Sequence, residues 1–181
     1  MMLGARQSLN QEPTPYATGA DFHWTFANDM NHLYLLSFLL TSDHSLAEKC
    51  FVRSLDDSAK GNRVFKDWVQ SWAERTIVQN AVQIVRPRPA NSSTPNRTTE
   101  RNTGGTINPP AEIAAVVRLA PFERFAFVLS VLERYSDQEC SLLLNCSRGD
   151  LVAARTQALR WIGRSAEHAD MGPDEHLSAS A

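Results

Sequence analysis

Apolar residues recur every three or four positions along most of this chain, which is the spacing of one face of an α-helix. The clearest run forms a wide apolar stripe: Phe65, Trp68, Val69, Trp72, Ala73, Ile77, Ala81 and Ile84. Alternation of polar and apolar residues, which would indicate strands, does not persist between turn residues. The pattern therefore predicts an all-α protein, and it predicts that the aromatic rings of this stripe are buried.

Helical periodicity also precedes that run. Five apolar residues keep close to one helical face: Phe22, Phe26, Met30, Leu33 and Leu40. Ser45 and Glu48 then have the spacing of a capping box, in which each side chain bonds the other residue's backbone N–H. This spacing predicts that another helix starts there.

Two stretches interrupt the helical pattern because their composition offers little to bury. Residues 86–110 hold many Pro, Gly, Ser, Thr and Asn together with four Arg, which predicts a flexible, locally basic linker. Residues 1–20 are predicted to be a disordered leader, and residues 164–181 a disordered, polar tail. The remaining segments, 21–85 and 111–163, are predicted to be two small helical bundles.

The second block contains two helix starts, each marked by a serine with an acidic residue three positions later. Ser136 precedes Glu139, and Ser147 precedes Asp150. Asn145 lies where the first helix must end, since Asn tolerates the left-handed backbone of a tight turn. The expected core contacts of this pair are Leu142, Leu143, Leu144, Leu151, Ala158 and Ile162. Such spacing suits either a DNA-reading helix-turn-helix or two helices that only pack together.

Composition limits the classes of function. The chain has 181 residues and a net charge of −2, without the basic surplus typical of a stand-alone DNA-binding protein. Three cysteines without C-x-x-C spacing argue against a disulfide framework or a zinc site. We expect a reducing, cytoplasmic location, because neither a signal peptide nor a membrane span is apparent.

The sequence shows no pattern for catalysis or for a cofactor. It has no phosphate-binding glycine loop, no Ser-His-Asp set and no paired carboxylates. His23, His32 and His44 have no ligand spacing, so no metal site is predicted. The four tryptophans, Trp24, Trp68, Trp72 and Trp161, are expected mainly to pack in the core, with base stacking as the alternative.

Three segments resemble bacterial RNA polymerase sigma factors of the extracytoplasmic-function type. LAPFERFAFVLSVLERYSDQECSLLLNCSRGDLVAARTQAL, beginning at Leu119, is similar to the fourth region of that family. LYLLSFLLTSDHSLAE, beginning at Leu33, resembles the start of the second region, and FKDWVQSWAERT, beginning at Phe65, resembles its later helix. The likeness covers about residues 22–163.

The resemblance implies two interaction surfaces and no enzymatic activity. The second helix of the C-terminal pair would contact the −35 promoter element through Ser147, Arg148, Asp150, Val152, Ala153, Arg155, Gln157 and Arg160. Core RNA polymerase would be bound through Glu48, Lys49, Val52 and Arg53. The implied partners are core polymerase and promoter DNA, with an inhibitory protein of the anti-sigma type as a further one. Neither a membrane nor a small-molecule substrate is expected.

The chain also departs from the family pattern. Lys49 and Arg53 stand where an acidic, glutamine-containing polymerase-binding patch is common. Gln79, Val82, Gln83 and Ile84 replace the basic end of the promoter-melting helix. Val152, Ala154 and Gln157 occupy recognition-helix positions that are often basic, while Arg155 occupies one that is usually apolar. These departures favour an alternative function, a degenerate sigma-derived regulator that does not open promoters.

Overall fold

The computed structural model describes residues 14–60, 63–89 and 110–170, and within these ranges the protein is all-α. The first block consists of four helices: α1 (Gly19–Asn28), α2 (Met30–Thr41), α3 (His44–Ala59) and α4 (Val69–Val85). A single 3-10 turn, Lys66–Trp68, leads into α4. The fold class predicted from periodicity is confirmed.

The second block also consists of four helices: α5 (Ala111–Val117), α6 (Pro121–Phe127), α7 (Asp137–Leu144) and α8 (Arg148–Asp170). Pro121 occupies the first turn of α6, where its missing N–H costs no helical hydrogen bond. A π-helical turn, Val128–Leu132, extends α6, and a short segment then leads to Ser136, the N-cap of α7. Helix α8 continues to Asp170, so the polar tail does not begin at residue 164 as predicted.

The predicted leader is wrong from Thr14 onward. An isolated antiparallel bridge joins Tyr16 to Phe65. Ala17 donates its N–H to the Val64 carbonyl at 2.7 Å. Thr18 then caps α1 in a capping box with Asp21. The predictions for residues 1–13, for most of the linker (90–109) and for 171–181 lie outside the described residues.

Two local predictions for the first block are also wrong. Helix α3 is capped by Asp43, whose carboxylate accepts from the Leu46 N–H at 2.9 Å, and so Ser45 already lies inside the helix. Met30 is exposed because the helix is interrupted at Asp29, between α1 and α2, and the helical phase changes there. Phe22, Phe26 and the leucines of α2 do face the core.

Residues of both blocks contribute to one hydrophobic core cluster. Helix α2 contacts α5 and α6, and α4 contacts α7. The fully buried Ile77 of α4, Phe125 of α6 and Leu151 of α8 belong to this cluster. The packing therefore fixes the position of the α7–α8 pair relative to the first block.

A buried arginine lies where the blocks meet. Arg124 is 2% exposed, and its guanidinium donates to the carbonyl of Leu40 at 3.1 and 3.3 Å. It also donates to the carbonyls of Val117 and Leu119. Leu40 and Val117 lie in the last turns of α2 and α5, where carbonyl groups lack helical partners and carry partial negative charge. One side chain thus satisfies the ends of two helices from different blocks.

Candidate nucleic-acid interface

The α7–α8 pair is built as its sequence predicts. The Ser136 hydroxyl and the Glu139 carboxylate form a capping box at the start of α7. Asn145 adopts φ 49° and ψ 54°, the left-handed conformation, and ends the helix. The Ser147 hydroxyl accepts from the Asp150 N–H at 3.1 Å at the start of α8. Two capped helices are therefore joined by a three-residue turn, which gives α8 a fixed direction.

The inner side of the pair agrees with the predicted core except at one residue. Leu144, Leu151 and Ala158 are buried, and Leu143 and Ile162 pack partly against the core. The prediction that Leu142 contributes to the core is wrong, because this residue is 75% exposed. Successive residues of a helix point in different directions, so three consecutive leucines cannot all face one core.

The outer side of α8 carries most of the predicted DNA-contacting residues. Ser147, Arg148, Val152, Ala153, Gln157 and Arg160 are exposed, and Asp150 and Arg155 are half-buried. Ala154 is buried at 7% exposure, so it belongs to the core side of the helix and not to the outer one. The outer side combines two exposed arginines, an amide and small side chains, groups that can contact bases and phosphates.

Arg155 is held by a partner inside the protein. Its Nη1 lies 2.6 Å from Oδ1 of Asp137, in the first turn of α7. Arg148 donates to the side-chain oxygen of Gln138 over 3.4 Å, a longer contact. The ion pair links Arg155 of α8 to the start of α7. It also takes part of the positive charge away from a DNA-facing role.

The expected burial of the α4 aromatics is wrong for two of the three. Trp68 is 65% exposed and Phe65 is 44% exposed, while Trp72 is partly buried. Phe65 has an extended backbone and Trp68 ends a 3-10 turn, so neither follows the α-helical phase of the residues after them. Trp24 and Trp161 are exposed as well. The apolar stripe of the sequence therefore begins before the true start of α4 at Val69.

The exposed rings form a small cluster that the sequence analysis missed. Tyr16 and Phe65 stack with centroids 5.0 Å apart, and Phe65 meets Trp68 edge to face at 5.8 Å. A surface hollow of about 450 Å³ lies beside them, lined in part by Lys66 and Asp67. Exposed aromatic rings next to a lysine can stack on unpaired bases, which is worth about 1–3 kcal/mol per base. We call Tyr16, Phe65 and Trp68 the aromatic platform.

The predicted polymerase-binding residues share one exposed face of α3. Glu48, Lys49, Val52 and Arg53 all reach solvent and line a shallow hollow. Asp56, Asp57 and Lys60 continue the same hollow. Arg53 donates to the Gln83 side chain at 2.8 Å and lies 3.7 Å from Asp57. Three acidic and three basic side chains therefore balance, so the face is neutral and not basic as the substitutions alone suggested.

The cysteines have a structural role in this arrangement. Burial raises the pKa of Cys50 and of Cys140 to about 11, and it raises that of the half-buried Cys146. Thiols with raised pKa values are poor nucleophiles at neutral pH. Cys140 and Cys146 therefore support the α7–α8 turn by packing.

In comparisons with known proteins, no protein-family model matches the chain, and no curated protein matches it either. None of the helices in the described ranges combines the length and apolar character needed to cross a membrane.

Proposed function

We propose that this protein is a sigma-factor-like transcription initiation protein that binds core RNA polymerase and promoter DNA. Helix α8 contacts the −35 element, the exposed face of α3 contacts polymerase, and the aromatic platform holds unpaired bases. The role is not enzymatic and is carried out in the cytoplasm. An inhibitory protein partner of the anti-sigma type is part of the proposal.

The observation that carries the proposal is the outer side of α8. The capped turn directs this helix so that Arg148, Gln157 and Arg160 reach solvent while Leu151 and Ala158 anchor it. A helix presented in this way can enter the major groove, where Arg and Gln side chains bond base edges. The exposed arginine and glutamine side chains supply the hydrogen-bond donors that such contacts need.

The alternative is a degenerate sigma-derived regulator that binds polymerase or another factor without opening promoters. The neutral face of α3 favours it, because attraction across an interface depends on complementary charge. The pairing of Arg155 with Asp137 favours it as well. The aromatic platform weighs against it, since exposed rings are what the melting of DNA requires.

One experiment separates the two functions. The full chain is mixed with bacterial core RNA polymerase and a library of genomic promoter fragments, and the retained DNA is sequenced and treated with permanganate, which modifies unpaired thymines. An initiation factor enriches fragments with a shared upstream motif and produces reactive thymines downstream of it. A regulator binds polymerase but leaves the thymines unreactive. A chain that retains neither polymerase nor DNA contradicts the initiation factor and leaves only a regulator that binds another factor.

Matched variants assign the two surfaces. We expect Arg148→Ala and Gln157→Ala to abolish enrichment of the shared motif, whereas Arg118→Ala, an exposed arginine outside α7 and α8, leaves it unchanged. We expect Trp68→Ala to reduce thymine reactivity while upstream binding persists. Enrichment that survives both α8 substitutions would remove this helix from the interface.

A further inference from the structure

Three potential metal ligands, Asp29, His32 and Glu74, converge in the first block, and Glu133 of the second block lies beside the same histidine. Asp29, His32 and Glu74 place one ligand atom each within 4.8 Å of one another. The Nε2 atom of His32 lies 3.7 Å from Oε1 of Glu74 and 3.9 Å from Oε2 of Glu133. Asp29 and His32 come from the start of α2, Glu74 from α4, and Glu133 follows the π-helical turn of the second block.

These distances suit a small divalent cation. Zinc binds imidazole nitrogen and carboxylate oxygen at about 2.0–2.2 Å, so two atoms on one ion lie at most about 4.2–4.4 Å apart. Both contacts of His32 fall within that limit, and the 4.8 Å bound on the Asp29, His32 and Glu74 atoms exceeds it by about half an ångström, which a small side-chain rotation closes. Asp29 and His32 stand three residues apart, which puts their side chains on the same side of the helix. Asp29, His32 and Glu74 supply one imidazole and two carboxylates, and Glu133 would complete a four-ligand set that suits zinc better than magnesium or calcium.

The hydrogen bonds and burial around the carboxylates also suit a metal site. Asp29 occupies the N-cap position of α2 but makes no side-chain cap bond there. The Gln70 amide instead donates to Asp29, and to Glu74 at 3.1 Å. Second-layer hydrogen bonds of this kind orient metal-binding carboxylates. Glu133 has a side chain only 13% exposed, and its Oε2 faces the Nε2 atom of His32.

We propose that Asp29, His32, Glu74 and Glu133 bind one zinc-like divalent ion that ties the two blocks together. The ion compensates the three carboxylates and cross-links the start of α2 and the middle of α4 to the segment between α6 and α7. This segment leads directly into the capped start of α7. Metal binding therefore stabilises the packed arrangement that positions the α7–α8 pair.

The test uses the full chain after removal of metals with a chelator. Zinc chloride is added in calorimetric titration and in thermal unfolding, and cobalt(II) serves as a spectroscopic substitute whose visible bands report four-fold coordination. We expect one ion per chain and a rise in Tm of about 5–10 °C at a hundredfold excess over Kd. Magnesium at the same concentration is expected to leave Tm unchanged.

Variants locate the ion. His32→Ala and Glu133→Gln should each lower zinc affinity at least tenfold and change the cobalt bands. His23→Ala, an exposed histidine on α1, and Cys146→Ser should leave affinity unchanged. The proposal is overturned if zinc neither binds stoichiometrically nor raises Tm, or if His32→Ala binds as tightly as the native chain. Unchanged affinity in Glu133→Gln would overturn the link between the blocks.

Discussion

At the scale of single residues, Arg124 shows how a charged side chain is accommodated in this core. Its guanidinium is buried against carbonyl groups of Leu40, Val117 and Leu119. Carbonyl groups at helix ends have unused acceptor capacity, so a buried arginine finds partners there. The residue connects α6 to the ends of α2 and α5.

Removal of this side chain should be costly. We expect Arg124→Ala to lower the free energy of unfolding by about 2–4 kcal/mol, because helix-end carbonyls lose their donors and a cavity forms. Urea unfolding monitored by circular dichroism measures the loss. Arg118→Ala, an exposed arginine six residues earlier, should change stability by less than about 0.5 kcal/mol. Equal effects of the two substitutions would show that the buried contacts contribute little.

At the scale of elements, helix caps determine where α3 and α7 begin. The Ser136 hydroxyl and N–H both bond the Glu139 carboxylate, at 2.6 and 2.9 Å. These bonds lower the pKa of Glu139 from its ordinary value. Ser45 and Glu48 have the same sequence spacing, but Asp43 caps α3 instead. The two sites form a natural pair for comparison.

Ser136→Ala should destabilise the protein by about 1 kcal/mol at neutral pH, and Ser45→Ala by much less. Because the folded pKa of Glu139 is lowered, its contribution is present above the ordinary pKa of 4.5 and is lost as pH falls through the folded value. The difference between native chain and Ser136→Ala should therefore shrink as the pH falls below 4.5. Unfolding curves from pH 7 to pH 3 test this, and a difference that stays constant with pH contradicts it.

The ion pair between Arg155 and Asp137 links α8 to the start of α7. Asp137→Asn should release the arginine from its 2.6 Å contact and let it reach phosphate. Each phosphate neutralised adds about −0.9 to the slope of log binding constant against log salt concentration. Under the proposed function, we expect the variant to bind DNA with a slope steeper by about that amount. Arg155→Ala combined with Asp137→Asn is the control, and it should return the slope to its native value.

At the scale of the whole molecule, the two blocks share a core cluster. Helix α2 packs on α5 and α6, and Arg124 donates to a carbonyl 84 residues earlier in the chain. Both proposed surfaces, the α3 face and the outer side of α8, remain exposed in this arrangement. The contacts with polymerase and DNA that we propose therefore do not require the blocks to separate.

Isolation of the second block should reveal this dependence. A fragment of residues 110–170 lacks the Leu40 carbonyl and the packing of α2, so its apolar surface gains contact with water. We expect the amides of α6 to exchange hydrogen at least tenfold faster in the fragment than in the full chain. Equal protection in the two would mean that the second block is stable by itself.

The sequence by itself determined the features that depend on short-range physics. Helical period placed Ile77, Leu151 and Ala158 in the core, and the side chains of Ser136, Ser147 and Asn145 fixed the ends of α7 and α8. These assignments hold because the responsible groups lie within one or two helical turns of each other. Ser45, which has the same spacing as Ser136, failed because Asp43 was a competing cap nearby.

Only the tertiary structure decided the rest. Phe65 and Trp68 are exposed because the chain before α4 is extended at Phe65 and then forms a 3-10 turn. The extended residue pairs with Tyr16, which is far away in sequence. His32 gains Glu74 and Glu133 as neighbours through helix packing, which no local spacing encodes. Contacts between distant segments depend on how whole helices pack together, and that packing results from the sum of many weak apolar contacts spread along the chain.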